Sequence, residues 1–230
     1  MTLQEAIMLR HSVRRYIHKP LSAEIIETLR KKIEECNAEG GLHIQLVTNE
    51  TRAFTGLFSY GKFSGVENYI VMVGKKADDL DERVGYYGEQ LVLLAQTLGL
   101  NTCWAGLSYR RVDEAYSVGD DEKLTCMIAL GYGATQGHKR KSKTAEQVSN
   151  ISSDSPEWFR NGVEAALLAP TAINQQKFSF TLLPNEQGSG VKPKVIAKRG
   201  FSMVGYTKVD IGIARLHFEI GAGKENFDWA

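Results

Sequence analysis

Only three cysteines occur, Cys36, Cys103 and Cys126, an odd number at wide intervals with no CxxC pair. That spacing speaks against a disulfide framework and offers no zinc ligand set. A reducing cytoplasm is the expected compartment. The five histidines are equally scattered, and HExxH, GxSxG and GxxxxGK[ST] are all missing, so zinc-hydrolase, serine-hydrolase and P-loop chemistry have no foothold and no metal site is expected. Charge of one sign is lacking too: Lys+Arg 28 against Asp+Glu 27 leaves +1, a balance that favours neither nucleic acid nor an anionic membrane as partner. No apolar run is long enough to span a bilayer, and Gln4, Glu5 and Arg10 make the N-terminus too polar for a signal-peptide core. What remains is 230 residues, 43% hydrophobic, enough for one sizeable domain or two small ones.

Periodicity supplies the elements. Leu3, Ala6, Ile7 and Leu9 form a helical stripe. Ser22 suits the N-cap of a helix over Ala23–Cys36, with Ile25, Ile26, Leu29 and Ile33 as its apolar face and Gly40-Gly41 beyond it. LHIQLV (42–47) alternates like a strand, and YIVMV (69–73) is a continuous apolar run suited to a buried one. A long, nearly all-apolar helix fits Val84–Leu98, followed by strands TCWAGL (102–107) and TCMIALGYG (125–133). The polar stretch 134–156 reads as a connector. Beyond it come a helix over Trp158–Leu168 and an alternating strand KFSFTLLPNE (177–186). Helices interleaved with strands place the chain in the α/β or α+β class.

The later part echoes the earlier one. Shifted by 136 positions, Asn49-Glu50 falls on Asn185-Glu186, and Leu42, Ile44 and Leu46 fall on Phe178, Phe180 and Leu182. The preceding helix follows, with Leu29 on Ala165 and Ile33 on Ala169. At a shift of 122, Leu98-Gly99 falls on Ile220-Gly221, relating the long helix to VDIGIARLHFEIG (209–221). Two related half-folds are therefore expected, 1–143 and 157–230, joined by a linker at 144–156.

Two stretches carry the chemistry. LRHSVRRY (9–16) gathers Arg10, His11, Ser12 and Arg14 where the chain leaves its first helix. Forked guanidinium donors and a hydroxyl suit a phosphate, while a basic solvated turn has the same composition. APTAINQQKFSF (169–180) is a helix-stop loop that can equally offer amides to a ligand, since Asn174 donates and accepts at once. The basic run HKRKSK (138–143) reads either as a solvated loop or as an anion contact.

Taken together these stretches resemble the FMN-dependent nitroreductases. LRHSVRRY is similar to the family's R-[RH]-S-x-R opening, and APTAINQQKFSF to its APSxxNxQPW loop, with Thr171 for serine and Lys177-Phe178 for Pro-Trp. GEQLVLLAQTLGLNTCWAGL resembles the family's central helix and following strand, and IALGYGATQGHKRKSK its closing strand and basic tail. The loop departs from the usual order. Most members carry it after the first helix, where this chain has CNAEGGLHIQ (36–45), and carry the flavin between two identical subunits. Here it comes in the second half, as in the family's single-chain subgroup of fused pseudo-dimers.

The resemblance implies an α+β nitroreductase-like fold, an antiparallel or mixed central sheet flanked by helices, and one FMN site per chain. Arg10, Ser12 and the basic tail would hold the phosphate, with Lys141 and Lys143 the best match to the family and Lys139 and Arg140 open. His11 would act mainly through its backbone, and Arg14 would lie by the N1/C2=O edge of the ring. Pro170, Thr171, Ala172 and Asn174 would face the ring and ribityl chain. Trp104, Ala105 and Gly106 would bring backbone N–H groups to N5. Cys103, beside that turn, reads as a packed thiol. No side chain is implied as nucleophile or general acid. The implied activity is electron transfer from NAD(P)H to a nitroaromatic, quinone or similar small acceptor, by a protein that needs no second chain. A flavin enzyme of another reaction type (dehalogenation, flavin cleavage) and a non-catalytic FMN-storage protein are the alternatives.

Overall fold

A computed structural model describes residues 1–55, 62–184 and 192–230. In chain order the elements are α1 (Leu3–Leu9), α2 (Ala23–Gly40), β1 (Gln45–Val47), β2 (Asn68–Lys75), α3 (Leu80–Thr97), β3 (Asn101–Ala105), β4 (Glu122–Gly131), α4 (Ala145–Val148), α5 (Glu157–Leu167), β5 (Phe178–Leu182), β6 (Lys194–Arg199), α6 (Thr207–Ala222) and β7 (Asp228–Trp229). The fold is of the α+β class. One sheet has the order β1-β2-β4-β3, antiparallel throughout; the other has the order β5-β6-β7, antiparallel then parallel.

The apolar run of β2 is explained by burial on both faces. Ile70 and Met72 join the core under α2 and α3, while Tyr69, Val71 and Val73 face a second core with Phe54, Phe63 and Met127. The smaller sheet packs an aromatic layer on α5 and α6, in which Phe180 stacks on Phe218 with centroids 4.6 Å apart.

At the centre α3 crosses α6. A Cβ on Gly85 would lie 2.1 Å from the carbonyl oxygen of Val209, and one on Gly212 would lie 2.0 Å from that of Glu82. Only glycine admits backbones that close. The contact is reciprocal, since Val209 follows Glu82 and Gly212 follows Gly85 by the same 127 positions.

Other expectations change in detail. The second helix runs on to Gly40 because Gly41, at φ 58°, supplies the left-handed C-cap. The long helix begins at Leu80, where Asp81 and Glu82 favour its N-terminus. The helix after the connector ends at Leu167, so Ala169 is not helical and does not match Ile33. The strand expected over 102–107 stops at Ala105, and that over 177–186 stops at Leu182; Asn185 and Glu186 lie outside the described residues.

Residues 144–156 do more than connect. Thr144 and Gln147 close a capping box on α4, Val148 is fully buried, and the Asn150 carboxamide bonds both the N–H and the carbonyl of Leu182. The segment edges β5 and belongs to the aromatic core of the smaller sheet. Short, polar β6 and β7 carry no strand signal of their own and are absent from the expectations.

Candidate functional site

The LRHSVRRY segment is stitched between strands. Arg10 caps α1, with its N–H bonded to Ala6 O. Val13 N–H donates to Thr102 O at 3.0 Å beside β3, and Tyr16 N–H to Ser64 O at 2.9 Å. Val13 and Tyr16 bury their side chains, and the Tyr16 hydroxyl donates to Val13 O. The segment's basic side chains therefore emerge at fixed points.

Arg10 does not reach solvent. It is 5% exposed, and its Nε and Nη1 have no hydrogen-bond partner among the described residues. Burial lowers its pKa, with the Glu89 carboxylate opposing. Arg140 approaches from the basic tail, donates from Nη2 to Ala169 O at 2.5 Å, and is pulled down to about 10 by burial and by the Arg10 charge. His11 is held below its ordinary value by burial and then by Arg10, Arg140 and His138. A buried guanidinium and a half-buried one, with Arg10 Nε and Nη1 unpartnered among the described residues, form a site for an anion.

These groups line a compartment of about 430 Å3 whose wall also includes Lys139, Ser142 and Asn174. A second, less polar compartment of about 300 Å3 adjoins it, walled by Trp104, Ala105, Gly106, Pro170, Ala172, Tyr206 and Asp210. Ser12, Arg14, Thr171 and Ile173 border both. The fold thus brings eleven of the thirteen expected residues to one cleft. The other two, Lys141 and Lys143, go elsewhere. Lys141 accepts from Asn174 Nδ2 through its carbonyl, and Lys143 donates from its backbone N–H to Gln176 Oε1 and from Nζ to Gln176 O. Arg140 and Lys139, left open in the sequence, take the wall instead.

The loop after α5 is held from several sides. Gln176 donates from its backbone N–H to Thr171 Oγ1 and from Nε2 to Leu167 O. Ala172 N–H donates to Asp210 Oδ1 at 2.9 Å, and Gln175 Nε2 to Asp210 Oδ2 at 2.6 Å. Asn174 Oδ1 and Gln175 Oε1 are buried acceptors without partners among the described residues. Because the nitrogens of both carboxamides face acceptors, those oxygens are correctly placed. Buried acceptors left open are what a ligand with hydroxyl or imide donors would satisfy.

Beneath the cleft lies a buried charge network. Trp104 Nε1–H donates to Glu89 Oε2 at 2.9 Å, and Glu89 Oε1 lies 2.9 Å from His217 Nε2. Ala165 O, 3.1 Å from His217 Nδ1, can only accept. Nδ1 therefore carries a hydrogen, and one further proton lies between Nε2 and Oε1. Gly106 turns under Tyr206: a Cβ there would come within 2.5 Å of the phenol ring. Cys103 is a packed thiol raised by burial.

Asp210, Gln175, Tyr206 and Glu89 are absent from the sequence expectations. Glu89, Asp210 and His217 are polar residues on the buried faces of mostly apolar helices, and that incongruity was the available signal. Among the described residues no cluster of acidic, histidine and cysteine side chains could hold a metal ion, and no helix is long and apolar enough to cross a membrane.

A family model described as "Putative TM nitroreductase" matches residues 2–222. A solved structure described as a "putative nitroreductase" from Thermotoga maritima is similar over 98% of this chain and 85% of its own, at 23% identity and a TM-score of 0.63. A "putative nitroreductase in complex with FMN" from Desulfovibrio desulfuricans aligns over 68% of this chain and 99% of its own, at 15% identity and a TM-score of 0.52. The "hypothetical oxidoreductase YcnD" from Bacillus subtilis aligns over 67% and 77%, at 12% identity and a TM-score of 0.53. These likenesses establish a shared fold. No curated protein matches the sequence.

Proposed function

The chain belongs to the nitroreductase family that this model defines, and from that premise we propose that it is an FMN-dependent oxidoreductase. It takes electrons from NAD(P)H and passes them to a nitroaromatic, quinone or similar small acceptor. The observation that carries the reading is the pairing of compartments: a basic one with the buried Arg10 guanidinium, whose Nε and Nη1 have no partner among the described residues, and a less polar one adjoining it.

When bound, FMN supplies a ring system that takes up and gives back two electrons; binding, orientation and electrostatics are the chain's part. Arg10 and Arg140 hold the phosphate, with Lys139 and Ser12 at its border. The open oxygen of Asn174, on the wall of the basic compartment, accepts a hydrogen bond from the ligand's hydroxyl or imide groups. Arg14, at the junction of the compartments, stabilises negative charge that develops on the ring. Pro170, Thr171 and Ala172 form one wall; the Trp104-Ala105-Gly106 turn forms another and offers backbone N–H groups to the reactive edge. The Glu89 carboxylate fixes the Trp104 indole and offsets the Arg10 charge.

The walls come from both ends of the chain, residues 10–14 and 104–106 on one side and 170–174 and 206–213 on the other. The chain is in this reading a fused pseudo-dimer with one complete site. Flavin extraction should return about one FMN per chain, and NADH or NADPH should bleach the bound flavin in the absence of oxygen. Two FMN per chain would overturn the fused architecture. Bound flavin that neither nucleotide bleaches would overturn the catalytic reading in favour of storage.

A further inference from the structure

Three non-glycine residues within four positions of the cleft loop have positive φ: Ile173 at 46°, Asn174 at 59° and Gln176 at 44°. Asparagine tolerates that region, but a β-branched isoleucine there is an outlier. Such a backbone persists only where its surroundings over-determine it. Ile173 is nonetheless 78% exposed and borders both compartments, so its own packing does not hold it.

Asp210, in the first turn of α6, holds its two ends. Its Oδ1 accepts from Ala172 N–H, just before Ile173, and its Oδ2 accepts from Gln175 Nε2, just after Asn174. Gln175 is anchored a second time, to Gly205 O at 3.0 Å. Asp210 itself is 2% exposed, lines the cleft, and has no cationic partner among the described residues. Burying a carboxylate without a counter-charge is costly, and burial accordingly pushes its pKa up to about 6 against the two hydrogen bonds. Packing alone gives no reason for an acid here. The loop's two donors do.

We propose that Asp210 is a positioning residue for the flavin site, its carboxylate holding residues 172–175 in the strained form that sets Ile173 over the junction of the two compartments. This rests on the FMN reading and adds to it a residue outside the motifs. Removing the carboxylate lets the strain relax and the loop leave the cleft wall. Removing the strain makes the carboxylate dispensable.

The test is a cycle of Asp210→Asn, Ile173→Gly and the double variant, titrated with FMN and with riboflavin. Asparagine keeps one acceptor and turns an NH2 on the other donor. Asp210→Asn should weaken both flavins by about tenfold or more, the loss expected when a charge-assisted hydrogen bond is broken. The two factors should be equal, because the loop does not hold the phosphate. Ile173→Gly alone sets the reference affinity, and adding Asp210→Asn to it should cost far less than Asp210→Asn costs in wild type. A merely structural Asp210 predicts the same loss in both backgrounds. Unchanged binding by Asp210→Asn, or a loss that glycine leaves in place, overturns the proposal. Should Asp210→Asn not fold, Gln175→Glu sets a like charge against Asp210 from the loop side, and wild-type flavin affinity in that variant overturns it equally. In the protein without flavin, Asp210→Asn should speed hydrogen exchange at the Ala172 amide and unchanged exchange counts against the clamp. Wild-type protein that binds neither flavin overturns the FMN reading, and the exchange measurement then decides the clamp by itself.

Discussion

Glu89 on α3 and His217 on α6 meet at 2.9 Å with neither side chain reaching solvent. Their bond ties the two central helices together, and through Trp104 it ties them to the floor of the cleft. A buried pair is weak evidence of net stability, but breaking one leaves an uncompensated polar group, typically at a cost of about 3–5 kcal/mol. Glu89→Ala should therefore lower the unfolding free energy by an amount of that order, read as a lower urea midpoint, and Trp104 emission should shift as its indole loses its acceptor. A midpoint within error of wild type would remove Glu89 from this role.

Arg10→Ala should affect FMN far more than riboflavin. Loss of a charged hydrogen bond costs roughly 1.5–3 kcal/mol, or about tenfold to a hundredfold in affinity. Riboflavin has no phosphate and should be little affected. Equal losses for the two flavins would make Arg10 structural.

Arg140 and Lys141 are neighbours with different duties, since only Arg140 lines the basic compartment. Arg140→Ala should raise the FMN dissociation constant on the order of tenfold or more. Lys141→Ala should leave it close to wild type, because its carbonyl serves the loop and survives the substitution. Titration of the two variants side by side checks this, and the reverse order would return the phosphate contact to Lys141.

Gly85 and Gly212 test the helix crossing. A methyl group at either would sit about 2 Å from a carbonyl oxygen of the opposite helix, and the helices must part to admit it. Overpacking of this kind costs typically 1–3 kcal/mol, and more where backbone must move. Gly85→Ala and Gly212→Ala should each lower the melting temperature by several degrees. Melting curves that match wild type would mean the helices separate without cost.

Asp210 gives a pH dependence of definite sign. Its folded-state pKa of about 6 lies above the ordinary aspartate value of 3.8. The folded state thus binds the proton more tightly, and that contribution is present below the unfolded value and is lost as pH rises through about 6. Asparagine does not titrate. The melting temperature of wild type minus that of Asp210→Asn should fall between about pH 4 and pH 6 and then level off. A difference that is flat or rises across that window would contradict the shift.

Much of this protein is written locally. The 3.6 and 2 residue periods mark α2, α3, α5, α6 and β2, because each buries a continuous apolar face or run that can be seen without knowing its neighbour. The arginine segment and the APTAINQ loop are legible only through their resemblance to family motifs, since each by itself suits a solvated turn or a helix-stop loop as well. The tertiary structure decided what depends on partners distant in sequence. β6 and β7 are strands because Phe178–Leu182 and Val195 offer them edges, and the polar residues at 144–150 become ordered because Leu182 has backbone groups to satisfy. The choice of Arg140 over Lys141 turned on which side chain the tail directs into the cleft. Asp210 lies 38 positions from Ala172, and Glu89 lies 128 from His217. No pattern in the sequence relates them. They meet because Gly85 and Gly212 let α3 and α6 close to backbone contact, which fixes what each helix sets beside the cleft.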